Sequence, residues 1–121
     1  MENQNKNEAV QTTASKNIAA YKEKYGKVYQ VGVTVQPDDF TSLEFNYIFK
    51  KPNTASFDRY VKGASQSSTK ALKMFVLDNV VEEQSVQMEK DLEEYPALAL
   101  SVGEKLLNML GLSKDINLKL L

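Results

Sequence analysis

The densest set of side chains able to do chemistry is acidic. Glu82, Glu83, Glu89, Asp91, Glu93 and Glu94 fall within 13 residues and are opposed only by Lys90. Paired carboxylates can act as general acid and base or hold a hard cation. The spacing supports neither, because no EF-hand loop pattern is present and the run lacks the glycine such a loop needs. It reads as a solvated helix face. Asp38 and Asp39, between Pro37 and Phe40, read as turn formers through local hydrogen bonds. The chain has no His and no Cys. Imidazole bases, His-based triads, thiolate metal sites and disulfides are therefore excluded. Gly26, Gly32, Gly63, Gly103 and Gly111 form no phosphate-binding loop pattern. These residues offer no catalytic, cofactor or metal site to name.

The charge layout carries more information than any single carboxylate. The chain has 15 Lys+Arg against 16 Asp+Glu, a net charge of −1. Residues 82–94 nevertheless carry a net charge of −5, and residues 50–73 carry +5 through Lys50, Lys51, Arg59, Lys62, Lys70 and Lys73 against Asp58. Two readings stand: complementarity between copies or with a partner, or two surface segments that pair within one domain. Nucleic-acid binding is the rival use of the basic stretch, since Phe57 and Tyr60 lie among its cations. Arg59 is the only arginine in the chain, whereas base readout leans on Arg, and this argues against it.

The elements that position these groups follow from hydrophobic period. At 121 residues with 42% hydrophobic side chains, the chain suits one domain with its own core. Residues 1–13 read as a disordered polar arm, residues 14–112 as a single α+β domain, and residues 113–121 as an apolar C-terminal tail. Ser15 caps an expected short helix carrying Ile18, Tyr21, Lys22 and Tyr25, stopped by Gly26. Two alternating runs follow. Tyr29, Val31, Val33 and Val35 mark one face of the first, and Leu43, Phe45, Tyr47 and Phe49 mark one face of the second. A loop over residues 36–40 joins them as an antiparallel β-hairpin, with room for a third short strand. After Pro52 the pattern turns helical, predicting a small bundle of three to four helices. The first is capped by Thr54 and buries Phe57, Tyr60, Val61 and Ala64. The second is capped within residues 66–69 and carries Leu72, Phe75, Val76, Val80 and Val81. The third covers residues 86–95, and the last starts at Pro96 and ends at Gly111. The N-terminal residues are polar and acidic, unlike a signal peptide, and no apolar run approaches the roughly 18 residues of a membrane span. This favours the cytosol.

The order of parts resembles the small tail assembly chaperones of long-tailed bacteriophages. The resemblance rests on Tyr47-Ile48-Phe49-Lys50-Lys51-Pro52-Asn53 at the end of the hairpin, on Phe57-Asp58-Arg59-Tyr60, and on Ala71 to Val81. It continues through Asp91-Leu92-Glu93-Glu94-Tyr95-Pro96 and the closing helix to Gly111, and covers about residues 27–111. It implies a protein of the infected cell's cytoplasm. Such a protein binds the tape-measure protein and keeps it soluble while tail-tube subunits assemble around it. The resemblance implies a non-enzymatic role, with no catalytic residue and no cofactor.

A holding protein needs exposed, adaptable apolar surface. The candidate partner-binding residues are Phe45, Tyr47 and Phe49 on the strand face and Ile116, Leu118, Leu120 and Leu121 in the tail. The strand face is expected to be covered by the chain's own helices or by another chain. The tail alternates apolar residues, so it either docks on a hairpin edge or a neighbouring subunit, giving a homo-oligomer, or folds back onto its own core. Of Met74, Met88 and Met109, at least two are expected to be core filler. The alternative function, from another class, is a small nucleic-acid-associated phage or plasmid regulatory protein.

Overall fold

The computed structural model describes residues 18–121; the arm at 1–13 and the Ser15 cap lie outside them. The fold is α+β, an antiparallel hairpin followed by helices. A helix over residues 18–25 (α1) precedes the hairpin, with Ile18, Tyr21 and Tyr25 half-buried as their spacing predicts. It ends at Gly26, whose φ of 78° is left-handed and whose N–H closes on the Lys22 carbonyl at 2.9 Å.

The hairpin pairs β1 (Val28–Asp38) with β2 (Thr41–Lys50). Its register sets Tyr29 opposite Phe49, Val31 opposite Tyr47, Val33 opposite Phe45 and Val35 opposite Leu43. Directly opposed residues share a face, so the two apolar sets make one surface. The connection is tighter than the expected five-residue loop. β1 runs through Pro37 to Asp38, and only Asp39 and Phe40 turn the chain. Between the pairs Val35–Leu43 and Asp38–Thr41, β1 has one residue more than β2, which is a bulge. Proline is tolerated there because a bulge on an edge strand needs no ladder donor. The Asp38 carboxylate accepts from Phe40 N–H at 2.8 Å and from the Thr41 hydroxyl at 3.0 Å, closing the turn.

Four helices follow: α2 (Thr54–Ala64), α3 (Ser68–Asn79), α4 (Ser85–Glu94) and α5 (Leu98–Met109). The cap of α2 is Asn53, not Thr54: its side chain accepts from Ser56 N–H at 2.8 Å. The buried face of the helix also differs from the expected one. Ser56 is buried, while Phe57 and Val61, expected in the core, are 38% and 50% exposed. The buried Asn79 amide explains the rotation. It donates to Ser56 Oγ at 2.9 Å and to the Phe75 carbonyl at 2.8 Å, so a satisfied polar pair joins α2 to α3.

Val80 and Val81 lie beyond α3, not on it. Val80 forms an antiparallel bridge with Phe49, and Val81 N–H donates to the Ile48 carbonyl at 3.0 Å. This is what occupies the place of the anticipated third strand. Gln84 Oε1 accepts from Ile48 N–H at 2.7 Å, so the outer edge of β2 is closed at that end. Pro96 sits in a turn two residues ahead of α5 instead of at its first position. α5 ends as expected at Gly111, φ 107°, with Leu112 N–H on the Leu107 carbonyl and Gly111 N–H on that of Asn108. Phe49, Phe75, Val76, Met88, Val102 and Leu106 form the centre of the core. No helix among the described residues is long and apolar enough to cross a membrane.

Candidate protein-binding surfaces

The acidic run lies on a short 3-10 turn (Glu82–Gln84) and on α4. Glu89, Glu93 and Glu94 are exposed, as a solvated helix face requires. Among the described residues no group of three or more His, Cys, Asp or Glu is placed to hold a metal ion. Two carboxylates in the run have specific partners. Asp91 accepts from the Tyr47 hydroxyl at 2.6 Å and from Gln87 Nε2 at 2.9 Å. Burial first, then the bond to Asp91, push the Tyr47 phenol well above the ordinary tyrosine range. Glu83 accepts from Lys24 Nζ at 2.9 Å and from the Tyr25 hydroxyl at 2.8 Å. The Lys24 bond, then that of Tyr25, hold the Glu83 carboxyl below its ordinary range. These bonds pin α1 beside the 3-10 turn.

The expected partner surface divides in two. Tyr47 and Phe49 are 3% and 0% exposed, and Phe45 packs against the core as a half-buried neighbour. The Phe45 ring stands 5.8 Å from that of Tyr95. Tyr47 and Phe49 are thus corrected from partner contacts to core residues, because the chain's own helices cover the strand face. The tail is open. Ile116, Leu118, Leu120 and Leu121 are 81–107% exposed, and the fold-back onto the core is not what the structure shows. Lys114 pairs with Glu104 on α5 at 3.0 Å, which holds the root of the tail.

A second open surface escaped the sequence reading. α2 and α3 enclose a cleft of about 310 Å³, floored by Tyr60, Gly63, Ala71 and Phe75. Met74 lines it at 51% exposure, whereas Met88 is fully buried and Met109 packs on the core. Arg59, Lys70 and Asp78 form its rim. Arg59 reaches Asp78 at 3.2 Å, across the cleft's two helices. Among the described residues no ion pair joins the basic segment 50–73 to the acidic run 82–94. The internal pairing of those two segments is therefore not seen, and Lys62 and Lys70 are exposed with no acidic partner among the described residues. The signal for the cleft was present but indirect: Gly63 and Ala71 are small residues at a helix crossing, and a Cβ on Gly63 would stand 3.1 Å from that of Ala71.

The assembly is a small α+β domain, a covered two-stranded hairpin packed on four helices, with apolar surface left open at the α2–α3 cleft and at the tail. The chain belongs to the family described as Domain of unknown function (DUF6848), which matches residues 21–119. It is similar in structure to the uncharacterised protein RBSTP2171 of Bacillus stearothermophilus. The two share 25% identity and a TM-score of 0.72 over 84% of this chain and 99% of that one. No curated protein matches the chain.

Proposed function

We propose that this chain is a non-enzymatic, phage tail assembly chaperone-like protein. It binds the tape-measure protein in the host-cell cytoplasm and assists assembly of tail-tube protein around it. One observation carries the reading: the half-exposed Met74 in a cleft whose rim cation Lys70 has no acidic partner among the described residues. A flexible thioether adapts to varied apolar side chains. Lys70 on its rim would favour acidic residues flanking such a side chain. An amphipathic helical segment of the client fits this chemistry. The order of hairpin and helices supports the resemblance seen at residues 47–53, 57–60, 71–81 and 91–96.

Co-expression with the tape-measure protein tests the reading. The expected result is a rise in its soluble yield and co-purification of the two chains. Unchanged yield with no co-purification would refute it. Co-purifying nucleic acid in place of protein would favour the regulatory alternative.

A further inference from the structure

Among the described residues the sheet has two strands, so the edge of β1 away from β2 carries no ladder there. The outer edge of β2 is closed at Ile48 by Val81 and Gln84. β1 is therefore the open template. Beside it lies a groove of about 400 Å³ between the strand and the start of α5, lined by Val33, Val35, Tyr95, Pro96, Leu98 and Ser101. Val33 and Val35 point to the apolar face of the hairpin.

The tail has the matching pattern. Ile116, Leu118 and Leu120 alternate with Asn117 and Lys119, so an extended strand puts all three on one side. All three are more than 80% exposed in this chain. The groove sits at the N-terminal end of α5, and the tail leaves from its C-terminal end. Twelve helical residues separate them by about 18 Å. The family match runs through residue 119, so Ile116 and Leu118 fall within the matched domain.

We propose that residues 113–121 add as a strand to the open edge of β1 in a second copy of the chain. Ile116, Leu118 and Leu120 enter that copy's groove, and the exchange is reciprocal. Each of the three inward-facing apolar tail side chains removes roughly 60–120 Å² from water on burial. Two tails, with the surface they cover, bury roughly 700–1,400 Å², the upper part of which reaches the range of about 1,200–2,000 Å² for stable specific interfaces. The contact does not depend on the identity of the client.

Sedimentation of the full chain and two variants tests the proposal. The full chain should have twice the mass of one chain. Deletion of residues 113–121 should halve that mass with the circular dichroism unchanged. Ala97→Glu with Ser101→Glu in the full chain should halve it as well. Both line the groove and are exposed at the start of α5, Ala97 as its cap and Ser101 in its first turn, where acidic side chains suit the helix dipole, so the fold is kept. A full chain of single mass would overturn the proposal, leaving the tail on its own chain. A deleted chain that stays double places the contact elsewhere, and one that unfolds places the tail in its own core; either overturns it. A groove variant that stays double would overturn the assignment to β1.

Discussion

The Tyr47 hydroxyl donates to Asp91 Oδ2 at 2.6 Å, joining β2 to α4 at the margin of the core. The phenol is raised above its ordinary range by burial and by this carboxylate. A raised phenol contributes stability that is complete below its unfolded value and is lost as pH rises through the folded one. In an alkaline absorbance titration, Tyr47 should ionise well above the ordinary tyrosine value of about 10. Tyr47→Phe should cost about 1.5–3 kcal/mol in urea unfolding, the range for a bond to a charged group. Asp91 keeps its Gln87 partner, so the fold itself should persist.

α3 and α5 meet where Gly103 faces Leu72. A Cβ at Gly103 would stand 2.5 Å from Leu72 Cδ1 and 2.8 Å from its Cγ. Gly103→Ala should therefore destabilise by about 1–3 kcal/mol despite alanine's better helix propensity. Leu72→Ala alone should cost about 2–5 kcal/mol. The double variant should be less unstable than the sum, because the small side chain makes room for the added methyl group. Additive unfolding energies would contradict the close contact.

Asn79 and Ser56 supply a polar tie inside the α2–α3 interface. Asn79→Leu removes both of its donor bonds and leaves Ser56 without that partner. The expected loss is about 1–3 kcal/mol. Hydrogen exchange should show α2 opening more readily than α5.

Acid should release α1 and the hairpin turn before the core. Asp38 is held below its ordinary range by Phe40 N–H and then by the Thr41 hydroxyl, and Glu83 by Lys24 and then Tyr25. A lowered carboxyl contributes stability that is complete above its unfolded value and is lost as pH falls through the folded one. The loss should therefore set in below about pH 4. Amide exchange in residues 18–25 should accelerate there. Glu83→Gln should show fast exchange already at neutral pH, with little further response to acid.

The elements with strong local signals were legible in the sequence. Alternation fixed the shared face of Tyr29–Val35 and Leu43–Phe49, and Gly26 and Gly111 marked two helix ends. What escaped was decided by partners distant in the chain. Proline at position 37 argues against a strand until the bulge is known. Asn53 and Thr54 are both capping residues, and only the bond to Ser56 separates them. Burial of Ser56 depends on Asn79, 23 residues away, so hydropathy alone put Phe57 and Val61 inside. Val80 and Val81 continue an apolar pattern but pair with a strand. The cleft at Met74 follows from that rotated helix, which is why spacing did not reveal it.

Aggregation of purified tape-measure protein, followed by light scattering with and without this chain, tests the central claim most directly. Suppression should saturate at a fixed ratio of the two chains. Met74→Asp, at a half-exposed position, should retain the fold and lose most of the suppression. Aggregation that proceeds unchanged in the presence of the folded chain, or suppression that Met74→Asp leaves intact, would contradict the account.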